Sequence, residues 1–238
     1  MGASVRMSGR SGKLANMHVR ILGSAAGGGF PQWNCACANC RAVRAGSFSG
    51  KPRTQTQVAV SQDGRSWFLL GASLDLRVQI EANRELHPSA GLRQSPITGA
   101  VLVNADLDHV LGLLMLRELQ PLRIYTTESI RRILTEDNSM FSMLQRGSGQ
   151  ATWTDFAPEV MFSAQNANGQ DSGICCRAVS LGTHLPAYVP PQRRTMLRAN
   201  EASLGLTIQS SSGKRLAFMP AVPQIDLSLI HISEPTRP

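Results

Sequence analysis

From Met17 to Leu22 apolar and polar side chains alternate, and the alternation stops at Gly23. A period of two sends successive side chains to opposite faces of a strand, so this segment reads as the first strand of a sheet. Gln57–Val60 and Trp67–Leu70 read as two more strands, with Asp63-Gly64 as the hairpin turn signal between them. Leu76, Ile80 and Leu86 recur at helical spacing. His87-Pro88 ends that run, because a residue before proline is pushed out of the helical region. Gly99–Val103 is continuously apolar up to Asn104 and predicts a buried strand. Leu111–Leu119 is apolar and helix-favouring, with Pro121 as its stop, and Ile124-Tyr125 predicts a short strand. Thr127 is placed to cap a helix over Glu128–Leu134, whose acidic first turn suits the helix dipole. Ile174–Val179, Leu204–Ile208 and Arg215–Met219 complete the predicted strands. Strands and helices interleave throughout and no internal repeat occurs, which predicts an α/β (α+β) architecture of sheets covered by helices.

With 238 residues, the chain is long enough for one large core or two small ones. Apolar residues make up 42%, yet no apolar run approaches the roughly 18 residues that span a bilayer, so membrane insertion is not expected. Residues 1–16 are rich in Ser, Gly and Arg and lack the apolar stretch of a secretory signal. They read as a disordered extension before a natural start at Met17. The net charge of +8 comes from scattered arginines, and Arg193-Arg194 follows Pro190-Pro191 in a loop. Without a run of basic residues, nucleic acid is not an expected partner; a solvated surface is.

Charge narrows the field less than the five cysteines do. Asn34-Cys35-Ala36-Cys37-Ala38-Asn39-Cys40 packs three thiols into six residues, Cys35 to Cys40. A short loop can aim three sulfurs at one point, and thiolates bind zinc in tetrahedral structural sites, so Cys35, Cys37 and Cys40 are candidate zinc ligands with the fourth ligand unnamed. Reduced cysteines without metal, or a redox role, are the competing readings. Cys175-Cys176 alternates within a strand-like run and reads as core or edge residues.

The loop Gly23-Ser24-Ala25-Ala26-Gly27-Gly28-Gly29 follows a strand but matches neither dinucleotide nor P-loop spacing, and Pro31 rather than a helix comes next. Nucleotide binding is rejected; close backbone approach to a ligand stays open. More informative is Val101-Leu102-Val103-Asn104-Ala105-Asp106-Leu107-Asp108-His109. An apolar strand delivers polar side chains to a loop before a helix, which is where α/β sheets place their sites. Carboxylates with a histidine suit iron(II), manganese or zinc. The bland alternatives are Asp108 as a helix cap and His109 as a satisfied helix-start residue.

Asp108-His109 resembles the end of the His-x-His-x-Asp-His motif of the metallo-β-lactamase superfamily, with Asn104 and Asp106 in place of the two histidines. Longer stretches resemble the pyrroloquinoline quinone (PQQ) biosynthesis protein B family of that superfamily. They are Gly23–Cys35 with Cys37 and Cys40, Arg41–Gly46, Pro52–Thr56, Ala72–Gln79, and Asp108-His109 with Gly112-Leu113-Leu114. The likeness covers roughly residues 17 to 226. It implies a metallo-β-lactamase-like αββα sandwich, a cytoplasmic location and a role in PQQ biosynthesis. The implied chemistry is hydroxylation of the tyrosine ring of a Glu-Tyr-derived intermediate by an iron-dependent oxygenase. Carriage of PQQ or its precursor toward the periplasm, or hydrolysis of the general superfamily type, are the alternatives. On this resemblance Cys35, Cys37 and Cys40 hold a structural zinc. Asp106, Asp108 and His109 supply part of an active metal site for iron(II) or another divalent ion, with Asp108 and His109 catalytic. The implied partners are a small-molecule or dipeptide PQQ precursor, other PQQ biosynthesis proteins and a second copy of the chain.

Residues 227–238 do not resemble the family and read as an artefactual tail, so His231 is not counted as a ligand and the sandwich is expected to be incomplete at its carboxy terminus. The chain as it stands is therefore expected to be poorly stable and inactive, with uncovered apolar surface, while the natural full-length protein is expected to be active. His184 falls in a loop that varies in the family and is not counted among the ligands.

Overall fold

Six strands build the first sheet: β1 (His18–Gly23), β2 (Gln57–Ser61), β3 (Trp67–Leu70), β4 (Ile97–Val101), β5 (Leu122–Thr126) and β6 (Ala151–Asp155), side by side in chain order. The structure is a computed structural model describing residues 17–222 except 90, 119, 148 and 167. The expectations for residues 1–16, for the tail at 227–238 and for the close of the domain beyond 222 lie outside the described residues.

β1, β2 and β3 pair antiparallel, and β3 through β6 pair parallel. The β2–β3 turn forms as its Asp-Gly predicted: the Asp63 carboxylate accepts from the Arg65 and Ser66 amides at 2.8 Å. Parallel neighbours need crossovers, and these carry helices α2 (Leu76–Glu81), α3 (Leu107–Val110) and α4 (Glu128–Thr135). Strands covered on both sides read as unbroken apolar runs. Trp67, Phe68, Leu69 and Leu70 of β3 are all buried, as is every residue of β4.

The second sheet is antiparallel, in the order β10 (Arg215–Phe218), β9 (Ser203–Ser210), β8 (Asp171–Gly182), β7 (Met161–Gln165). Residues opposite one another in register share a face. Phe162, Cys176 and Ile208 lie across from each other and face inward, while Ser163, Cys175 and Gln209 face outward. Cys176 is thus a core residue, its thiol pushed up to about 12 by burial, and Cys175 lies on the other face. Phe162 stacks between Phe156 and Tyr125, and the Gln165 amide donates to the Tyr125 hydroxyl at 2.7 Å, so the sheets share one core.

α4 begins as predicted: Thr127 Oγ1 accepts from the Ile130 amide and donates to the Glu201 carbonyl at 2.7 Å. Two expected helices come out shorter. Leu76–Leu86 divides into α2 and a 3-10 turn at Arg84–Leu86. Leu111–Leu119 is a 3-10 helix over Leu111–Leu116. There Gly112 presses on the segment after β3, where a Cβ would lie 2.2 Å from the Ser73 carbonyl, and its amide donates to Ala72. β6, β7 and the helices α1 (Ala38–Arg44) and α5 (Pro191–Arg194) were not predicted. Among the described residues no helix is long and apolar enough to cross a membrane.

Candidate metal centres

Cys35 and Cys37 precede α1 and Cys40 lies in its first turn, buried. Starting a helix at Ala38 swings Cys40 back over the two earlier thiols. One ligand atom from each lies within 4.8 Å of the others. Sulfurs around a zinc with bonds of about 2.3 Å sit roughly 3.8 Å apart, so small movements close the site. Arg44, in the last turn of α1, donates to the Cys35 and Gln32 carbonyls at 2.6 Å and clamps the loop. The Cys37 thiol is lowered to about 7, first by the hydrogen bond from the Cys40 amide and then by the Cys35 and Cys40 side chains. That favours the thiolate, the form that binds metal. All five cysteines are free. The donor set fits a structural zinc lacking one named ligand.

The acidic-histidine segment is the second candidate. β4 ends at Val101, and residues 102–105 run on, buried, to Asp106, which occupies the cap position of α3 without a side-chain capping bond. Asp108 sits inside that first turn, so its carboxylate is not consumed as the cap. His109 Nδ1 lies 2.9 Å from Asn104 Oδ1. The Asn104 oxygen is an acceptor, so Nδ1 is the donor and the neutral ring has its lone pair on Nε2, the arrangement that outer partners impose on metal-binding histidines. Nε2 faces Asp108 Oδ2 at 3.7 Å. The Asn104 oxygen also accepts from the Asp106 amide at 3.2 Å, shaping the loop. Asn104 therefore stands behind the histidine rather than in place of one.

A second loop closes on this one. His184, after β8, places Nε2 3.9 Å from Asp106 Oδ1. The Tyr188 hydroxyl donates to the Ala105 carbonyl, and burial, with Asp106 adding to it, raises that hydroxyl. The Leu204 amide donates to Val103 at 2.9 Å, and Asn104 bridges to Ser203, stitching the two sheets together here. Burial raises the Asp106 carboxyl; His109 and His184 oppose that and Asp108 adds to it. Two carboxylates and two imidazoles thus approach in pairs, a donor chemistry suited to iron(II), manganese or zinc. The two candidates differ in closure: among the described residues, only the cysteines form a group of three whose ligand atoms all lie that near one another.

Comparison with known proteins follows the same lines. Residues 66–235 match the model of the beta-lactamase superfamily domain. Coenzyme PQQ synthesis protein B of Stutzerimonas stutzeri is 40% identical over 219 residues, covering 90% of this chain and 69% of the relative. The chain belongs to the coenzyme PQQ synthesis protein B family. The 1.98-Å crystal structure of Zn2+-bound PqqB from Methylobacterium extorquens superposes with a TM-score of 0.77 at 37% identity, covering 90% of this chain and 68% of that one. A diphosphatase of the PhnP family, at 20% identity and a TM-score of 0.52, covers 70% of this chain and 57% of its own and shares the fold.

The metallo-β-lactamase-like architecture and the family drawn from Gly23–Cys35 and the later segments are borne out. Membership in the PqqB family ties the chain to PQQ biosynthesis. Sequence reasoning set His184 aside, and the structure brings it to Asp106. No local signal marked it, since His184 lies 75 positions after His109, a spacing carrying no motif.

Proposed function

We propose that proteins of this family, of which this chain carries the metal-binding segments, serve PQQ biosynthesis as metal-dependent oxygenases that hydroxylate the tyrosine ring of a Glu-Tyr-derived intermediate. The observation that carries the reading is His109, held at Nδ1 by Asn104 with Nε2 turned toward Asp108, beside Asp106 and His184. Asp106, Asp108 and His109 are the proposed ligands of iron(II) or another divalent ion, and His184 joins them. Cys35, Cys37 and Cys40 are the proposed holders of a structural zinc. When bound, an iron ion with open positions supplies oxygen activation. The net change converts a ring C–H to C–OH with one atom of O2. The other leaves as water, on two electrons and two protons from an external reductant.

The chain's own residues do the rest. Asn104 keeps the His109 ring in one tautomer. The contact of Tyr188 with Ala105 keeps the ligand loop against the second sheet. The excess of arginine favours approach of an acidic precursor. A general superfamily hydrolase is disfavoured, because Asn104 is committed to orienting His109. A cytoplasmic location, contact with other PQQ biosynthesis proteins and self-association belong to the same proposal.

The test is oxygen uptake by iron-loaded protein with a Tyr-containing precursor and a reductant. Uptake coupled to ring hydroxylation, lost in Asp108→Asn and His109→Ala, is the expected result. Precursor binding by calorimetry without oxygen uptake would replace the enzyme by a carrier.

A further inference from the structure

Three segments of the chain have no role so far: the glycine loop at 24–29, the segment Pro52–Thr56 and the segment Ala72–Gln79. In the structure they form one device. Gly27 lies against Asp108, where a Cβ built on the glycine would sit 3.0 Å from Oδ2 and 3.2 Å from Cγ. Bare backbone therefore forms the wall beside this carboxylate, and the height of that wall bears on where the carboxylate points.

Gln55 sets the height. Its Nε2 donates to the Gly27 carbonyl at 2.7 Å. Its Oε1 accepts from Ser73 Oγ and from the Leu74 amide, both at 3.1 Å. The main chain of Gln55 is held as well, its N–H donating to Asp75 Oδ2 at 2.9 Å and its carbonyl accepting from Gln79 Nε2 at 2.9 Å. The carboxamide orientation is determined by chemistry: a flipped amide would set donor against the Leu74 N–H and acceptor against the Gly27 carbonyl. Gln55 is 7% exposed, so water is a poor substitute for these partners.

The far end of the same truss reaches the other candidate ligand. Ser73 donates its amide to Gln57 Oε1 at 2.7 Å, and the neighbouring Ala72 amide donates to the His109 carbonyl at 2.6 Å. One carboxamide thus joins the loop lying on Asp108 to the segment that holds the His109 backbone. We infer that Gln55 is a positioning residue for the Asp-His centre, setting the gap between the Gly27 backbone and the Asp108 carboxylate; this rests on reading that centre as a metal site.

The experiment titrates manganese(II) into protein carrying one zinc per chain, with excess zinc removed, and follows binding by electron paramagnetic resonance. Manganese prefers carboxylate and imidazole to the thiolates already occupied by zinc. Wild type is expected to bind manganese, and Asp108→Asn to lose it. Gln55→Met keeps the volume and removes every hydrogen bond of the Gln55 side chain. Gly27→Ala leaves the truss intact and pushes a methyl onto Asp108. Both are expected to weaken manganese binding about tenfold or more, as outer-partner changes do. Thr54→Val removes the bond to the Leu22 carbonyl and the one that Thr54 Oγ1 accepts from Gln79 Nε2, but it leaves the Gln55 side chain, Gly27 and Asp108 untouched, and is expected to lower the melting temperature while keeping the affinity.

Unchanged manganese affinity in Gly27→Ala overturns the proposal even where Gln55→Met fails to fold. An equal loss in Thr54→Val overturns it too, reducing Gln55 to scaffolding. No manganese bound by wild type overturns the metal reading itself and this inference with it, whereas binding lost only in Asp108→Asn leaves that reading standing and removes Gln55 alone.

Discussion

The cysteine cluster and the Asp-His centre are both built from side chains that bind metals, yet they are assembled in opposite ways. Cys35, Cys37 and Cys40 meet because one short loop turns into one helix, and Arg44 from that helix locks the loop. Asp106, Asp108 and His109 share one cap and helix turn too, but His184 arrives from beyond β8, and the two segments are held together by contacts between the two sheets. A local site needs only its own turn to form. A composite one needs the whole sandwich, and tolerates less displacement.

The largest test of that contrast is replacement of Cys35, Cys37 and Cys40 by Ser. Bound zinc, read by elemental analysis, is expected to fall from about one per chain to none, with a marked drop in melting temperature, because a structural zinc contributes folding free energy directly. In the unaltered protein, zinc affinity is expected to fall as pH drops through about 7, where Cys37 takes up its proton. Zinc retained by the triple variant would remove the cysteine reading.

Next in size is Asn104→Ala. It leaves His109 Nδ1 without its partner and frees the ring to turn, and the second metal is expected to bind about 10- to 100-fold more weakly with zinc content unchanged. Calorimetry on zinc-replete protein decides it. Equal loss of both metals would mean the two centres are one cooperative unit.

The smallest effect is in pH dependence. Burial raises the Asp106 carboxyl in the folded chain above its ordinary 3.8, so folded protein binds an extra proton between the two values. Stability of the metal-free protein is therefore expected to be greater below that window and to be lost as pH rises through the raised folded value. Asp106→Asn is expected to flatten this trend and to raise the metal-free melting temperature at neutral pH. A steeper trend in the variant would show that Asp106 is not the group responsible.

Much of the first sheet was legible beforehand, and the reason is physical. β1 alternates, β3 is solidly apolar, the apolar run of β4 begins at Gly99, and Asp63-Gly64 and Thr127 carry turn and cap chemistry in their own side chains. β6 and β7 were missed because few of their positions are buried, so no apolar run marks them. The 3-10 geometry over Leu111–Leu116 was illegible because helix propensity there yields to the close approach of Gly112 to the Ser73 carbonyl, a tertiary contact.

The sites divide along the same line. Thiol chemistry, ligand spacing in the cysteine loop and the Asp-His pair after an apolar strand were all determined by the order of residues, since each acts within one turn of its neighbours. The tertiary structure alone decided that Asn104 orients His109, that His184 reaches Asp106, and that Gln55 carries Gly27 against Asp108. Those contacts depend on how the sheets and loops pack. Packing is set by the apolar pattern of the whole chain, and no local run of residues encodes the distance between two loops.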